Sequence, residues 1–301
     1  MRPPVAGGRD VDLPGLDVRL KATRWSGTGT PVLLLHGLAS TRRFWDLVVP
    51  GLAGLPVVAL DQRGHGESER PSGPYDGGVV AADALTALDA LGISRAVVVG
   101  HSWGASTALR LAADAPGRVL AAVAIDGGLG SWRDSGATRE QMRERLTPPR
   151  TAVPVGELEG LIATGPLGPW WSAEVAAAVL PLFEEGADGL ARPRLPFEAH
   201  MAIVDDLLDT DGDAVLSRIA CPTWLVSCEA VPPEWAAQKA AALDRAASLV
   251  AQPRRHRWLE ALHDVPLQWP ALVAGLIRAA ADEVSGRGPV ATAAVREGAT
   301  P

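Results

Sequence analysis

Apolar residues in this chain gather in short unbroken runs, at 32–36, 57–60, 96–100, 121–125 and 223–227, with a weaker run near Trp258. Such runs suit strands buried on both faces of a parallel sheet. Between them the period lengthens. Residues 79–91 read as a helix closed by Gly92, and 103–115 as one stopped by Pro116 and Gly117. Strand and helix alternate without internal repeats, which predicts an α/β fold with a mainly parallel sheet flanked by helices. From 127 to 220 the alternation gives way to Pro- and Gly-interrupted helical pieces rich in Trp, Leu and Ala. The expected organisation is a core over 1–126 and 221–284, an inserted helical cap over 127–220, and a disordered tail over 285–301.

Length and composition narrow the function classes. The 301 residues fit one large domain, and 47% hydrophobic with 21% charged content describes a globular protein. The net charge of -7 repels phosphate, and the cluster Arg254, Arg255 and Arg257 is too small for a basic track, so nucleic acid is not an expected partner. No run approaches the ~20 apolar residues of a membrane span, and the N-terminus lacks a secretory apolar stretch, so the expected location is the cytoplasm. Cys221 and Cys228 read as structural thiols.

The segment carrying chemistry is AVVVGHSWGAST, where a strand runs into Gly100-His101-Ser102-Trp103-Gly104 and then a helix. G-x-S-x-G alone is a weak pattern; between a strand and a helix it marks a sharp turn that presents a serine hydroxyl. Flanking glycines remove Cβ atoms that would clash, and the following helix N-terminus favours negative charge near the oxygen. His263 lies on a loop between RWLEAL and the helical ALVAGLIRAAA, where a neutral imidazole could take the Ser102 proton.

These segments together resemble the α/β-hydrolase family. LLLHGLAST is similar to its His-Gly oxyanion turn, DQRGHGES to its Asp-x-Arg-Gly-x-Gly-x-Ser loop, and HDVPLQWP to the segment bearing its histidine base. The resemblance implies Ser102 as nucleophile, His263 as base, and the backbone N–H groups of Leu38 and Trp103 as the oxyanion hole. His36, His65 and His101 are read as packing or hydrogen-bonding residues, His256 as surface, and Asp61, Arg63 and Ser68 as braces of their loop.

The acid departs from the family's commonest pattern. Where Gly-x-x-Asp is usual after its seventh strand, this chain has Cys228, Glu229, Ala230 and Val231. Asp126, ending VLAAVAID on the strand beside the nucleophile strand, is the leading candidate, with Glu229 the alternative and a Ser–His dyad also open. Haloalkane dehalogenases and some lactone hydrolases look similar in taking their acid from this position, although Ser102 excludes dehalogenase chemistry. A turn-forming role before Gly127-Gly128 competes for Asp126, and Asp264 ranks low because neighbouring side chains on an extended loop diverge.

The leading function is hydrolysis of a carboxylic ester or lactone through an acyl-enzyme, on a small apolar or aromatic substrate. C–C hydrolase, thioesterase, amidase and acyl-transfer chemistries use the same nucleophile, and a non-catalytic ligand-binding protein of the same fold is the alternative from another class. Trp45, Trp132, Trp170, Trp171 and His200 are pocket candidates. No nucleotide loop or metal-ligand spacing is evident, so neither cofactor nor metal is expected, and the sequence leaves the oligomeric state open.

Overall fold

The structure, a computed structural model, describes residues 7–130, 136–149 and 152–286. Eight strands form the central sheet: β1 (Arg9–Pro14), β2 (Arg19–Trp25), β3 (Val32–Leu35), β4 (Val57–Asp61), β5 (Ala96–His101), β6 (Val119–Ile125), β10 (Pro222–Cys228) and β11 (Gln252–Trp258). Their spatial order is β1-β2-β4-β3-β5-β6-β10-β11. β1–β2 and β2–β4 pair antiparallel, and every later pairing is parallel.

Successive residues of the inner strands feed two different cores, which is why those strands are apolar without interruption. Leu33, Leu35, Val98, Ala122 and Leu225 face one cluster with α1 (Gly77–Ala90), α2 (Trp103–Asp114) and α8 (Pro233–Leu249). Leu34, Val97, Val99, Val123 and Val226 face the other, covered by α10 (Pro270–Val284) and the turns at 42–52. The helices expected at 79–91 and 103–115 are α1 and α2, each within two residues of its expected ends. β1 and β2 were not legible: they pair at the sheet edge, and their alternation is blurred by charges such as Arg9, Asp10, Arg19 and Arg24.

Between β6 and β10 the chain forms α3 (Arg139–Leu146), α4 (Val155–Ala163), α5 (Ala173–Val179), α6 (Phe197–Asp209) and α7 (Gly212–Leu216). A small antiparallel sheet joins them, with β7 (Val153–Pro154) and β8 (Phe183–Glu185) on either side of β9 (Leu190–Pro193). The expected all-helical insertion thus contains strands, too short to show alternation in sequence. Residues 287–301 of the expected tail lie outside the described residues.

α2 and β3 approach closely, so that a Cβ on Gly104 would meet the Leu35 carbonyl oxygen at 2.3 Å. Backbone cannot yield there as a side chain could. Gly104→Ala is therefore expected to lower the unfolding free energy by about 3 kcal/mol in a urea titration; wild-type stability would mean that α2 and β3 can separate freely.

Candidate active site

The turn from β5 into α2 holds Ser102 at φ 54° and ψ −120°, a conformation costly for a residue with a Cβ. Its neighbours give way: a Cβ on Gly100 would lie 1.9 Å from the Gly104 carbonyl oxygen, and one on Gly127 would lie 2.1 Å from that of Ser102. Among described non-glycine residues only Ala39 (φ 53°), Ser102 and Asp126 (φ 49°) have positive φ. All three meet at one rim of the sheet, after β3, β5 and β6. Backbone strain gathered in one place is a common feature of functional sites.

His263 lies between β11 and α9 (Val265–Gln268), and its Nδ1 contacts Asp126 Oδ2 at 2.6 Å. The carboxylate can only accept, so Nδ1 carries the proton and Nε2 is left to accept one. The loop is tied down from behind by His101, whose Nε2 donates to the His263 carbonyl at 2.8 Å. About half of the His263 side chain is exposed, at 51%, against 2% for Asp126. Burial lowers the pKa of His263, but the hydrogen bond and charge of Asp126 outweigh it, and the net shift is upward. For Asp126, burial raises the pKa, but His263 and Lys239 outweigh it and hold the carboxylate ionised.

Lys239 was not legible in the sequence. It projects from the middle of α8, and its Nζ donates to Asp126 Oδ1 at 2.8 Å, Asp126 Oδ2 at 2.7 Å and the Cys228 carbonyl at 2.7 Å. Cys228 N donates to Asp126 Oδ1 at 2.9 Å. The end of β10 thus supplies an amide where the common family pattern would supply an acid. Glu229 points elsewhere: its carboxylate accepts from Ser227 Oγ at 2.6 Å and from Arg257 Nη2 at 2.6 Å.

The loop after β3 carries Gly37 and Leu38, and a Cβ on Gly37 would come within 3.1 Å of Ser102 Cβ. His65 Nε2 accepts from Ala39 N at 3.2 Å, and His36 Nε2 accepts from Gln62 N at 3.1 Å. Burial holds the pKa of His36 near about 4 and those of His65 and His101 near about 3, so all three are neutral scaffolding. Asp61 accepts from Arg42 N at 2.6 Å and from Glu67 N at 2.9 Å, and Ser68 Oγ donates to the Asp61 carbonyl at 2.6 Å. Arg63 pairs with Asp83 at 2.6 Å. His256 lies on β11 and is not at the site.

Ser102 and His263 open onto a cavity of about 290 Å³, whose apolar wall includes Leu38, Phe44, Ile162, Leu167, Val179 and Leu182. Of the expected tryptophans, Trp45, Trp170 and Trp171 do not line it. Trp45 is fully buried beneath the loop, Trp171 packs on the second core with Nε1 donating to Glu159 Oε1 at 3.3 Å, and Trp170 lies in a short turn. His200 Nε2 donates to the Leu146 carbonyl at 3.0 Å, and Trp132 lies outside the described residues. Large aromatics bury most area inside a core, and branched aliphatics were left for the cavity wall. Among the described residues His101, His263 and Asp264 bring donor atoms within 4.8 Å of one another. The trio fits a metal poorly, because His101 Nε2 is committed to the His263 carbonyl and His101 Nδ1 is shielded.

Residues 30–149 match the family profile described as alpha/beta hydrolase fold. The chain is 39% identical to a soluble epoxide hydrolase of Corynebacterium sp. over 90 residues, 30% of this chain and 32% of that protein. It is 39% identical to an esterase of Mycobacterium tuberculosis over 108 residues, 36% of each chain. These matches span about a third of those relatives. A crystal structure of E-2-(acetamidomethylene)succinate hydrolase superposes with TM-score 0.73 at 21% identity, over 90% of this chain and 97% of that one.

Because Asp126 raises and Lys239 lowers the His263 pKa, the two should be separable by titration. Following the His263 ring by NMR, Asp126→Asn is expected to lower its midpoint below wild type and Lys239→Met to raise it. Movement of both in one direction would mean that the two charges do not act on the imidazole independently.

Proposed function

We propose that this chain, which has the α/β-hydrolase fold, is a serine hydrolase that cleaves a carboxylic ester or lactone through an acyl-enzyme on Ser102. The observation carrying this reading is that the strained Ser102 and a His263 backed by buried Asp126 open onto one apolar cavity.

In the proposed reaction His263 Nε2 takes the Ser102 proton as Oγ bonds to the substrate carbonyl carbon. The oxyanion is met by the N–H of Leu38 and that of Trp103, which opens α2 and has no intrahelical acceptor. Asp126 keeps the tautomer and stabilises the imidazolium, while Lys239 and the Cys228 amide hold the carboxylate in its rotamer. Collapse breaks the bond to the leaving oxygen, which receives the proton from His263. Water, deprotonated by the same imidazole, then attacks the acyl carbon, and the carboxylic acid and free Ser102 are released.

The epoxide hydrolase relative raises a second reading. Opening an epoxide with a serine oxygen would leave an alkyl ether with no carbonyl for water to attack. A hydroxyl nucleophile suits acyl transfer, in keeping with the esterase relative. Among the described residues no helix is long and apolar enough to cross a membrane.

Ser102→Ala is expected to abolish fluorophosphonate labelling and to cut turnover of an aryl ester by orders of magnitude, with an unchanged circular dichroism spectrum. Asp126→Asn should lose as much as ~10⁴-fold in kcat, because the wrong tautomer is favoured. Glu229→Gln should cost far less. Near wild-type turnover in Ser102→Ala would sink the serine reading, whereas equal losses in the two carboxylate variants would sink only the assignment of the acid.

A further inference from the structure

Asp264 stands out by where its carboxylate lies. It is the N-cap residue of α9, and aspartate is among the residues most favoured there because its carboxylate can accept from the free amides of the first turn. Here the side chain makes no such bond, because Pro266 has no N–H to give and the Leu267 N–H is taken by the carbonyl of Asp264 itself. It lines the cavity beside Ser102 and His263 instead, one of its oxygens within 4.8 Å of a ring nitrogen of His263. Asp126, the other carboxylate beside that imidazole, is held by Lys239, the Cys228 amide and His263. No hydrogen bond or ion pair to the Asp264 carboxylate is present among the described residues. A cavity lined mostly by apolar side chains therefore carries one half-buried carboxylate without a partner, its only acidic group among the described residues.

We infer that Asp264 is the specificity-determining residue of the cavity, and that it selects esters whose leaving group carries a protonated amine a few bonds from the ester oxygen. The inference rests on the serine hydrolase reading, in which His263 returns its proton to the leaving oxygen. A group within reach of both Asp264 and that imidazole must belong to the leaving side of the substrate.

The driving force is desolvation. Burial already raises the Asp264 pKa, ahead of the lowering by His263 and the raising by Asp126. A wholly apolar substrate strips the remaining water from the carboxylate and returns nothing. An ammonium N–H replaces that water with a charge-assisted hydrogen bond, so the same residue attracts one class and rejects its neutral isostere.

The test uses 2-(dimethylamino)ethyl butanoate, protonated at pH 7, and the neutral isostere 3-methylbutyl butanoate. For each ester one measures kcat/KM and the concentration that halves the rate of fluorophosphonate labelling, which reports binding even if turnover is slow. Wild type is expected to favour the amino ester by about tenfold or more in one or both measures. In Asp264→Asn the preference should reverse, the amino ester losing and the neutral ester gaining, and Asp264→Ala should behave alike. Preference of wild type for the neutral ester, or equal loss of both esters in the variants, would overturn the inference. The second result would mean that Asp264 acts through His263 rather than on substrate. Absence of wild-type labelling would instead remove the serine hydrolase reading itself, and this inference with it.

Discussion

The Asp126 carboxylate adds side-chain ties to elements that the sheet's backbone ladder and apolar packing already bring together. It sits at the end of β6 with 2% of its side chain exposed, and it accepts from the β10 backbone, from Lys239 of α8 and from His263 beyond β11. A buried carboxylate in an apolar sheet rim would be costly alone; four donated hydrogen bonds and one positive charge make it tenable. The same bonds set the imidazole's tautomer, the rotamer of the acid and the approach of the His263 loop to Ser102. An aspartate after β6 can therefore stand where the common pattern places one after β10, provided that β10 and α8 supply the donors.

The site is also where backbone strain is concentrated. Ala39, Ser102 and Asp126 share positive φ, and Gly37, Gly100, Gly104 and Gly127 surround them without Cβ atoms. Around this turn four of the six histidines come together, and three of them are buried and neutral. Their rings hold backbone: His65 the amide of Ala39, His36 that of Gln62, and His101 the carbonyl of His263. Of these four, only His263 combines exposure to the cavity with a carboxylate partner, the combination that the proposed base requires.

The segment between β6 and β10 contributes aliphatic wall rather than reacting groups. Ile162, Pro166, Leu167, Val179 and Leu182 reach the cavity from α4, α5 and the turns near them. Against that wall Asp264 is a polar exception: with Pro266 at the second position of α9 its carboxylate has no amide to cap, and it faces the cavity instead.

The order of strands and helices, the Ser102 turn and the position of His263 were readable from sequence because each depends on residues adjacent in the chain. Unbroken apolar runs reflect strands buried on both sides, and G-x-S-x-G between strand and helix has few other uses. Asp126 was nameable from its strand end, but the sequence could not separate it from Glu229, since both follow strands on one rim. Tertiary structure set them apart: Arg257 and Ser227 take up Glu229, while β10 and Lys239 present Asp126 to an imidazole 137 residues away. Lys239 carries no motif, being a charge on a helix whose partner lies 113 positions distant. The cavity wall was misjudged for a related reason. Which of two apolar side chains fills a core and which lines a cavity depends on the facing surface, and hydrophobic pattern records burial without recording what lies opposite.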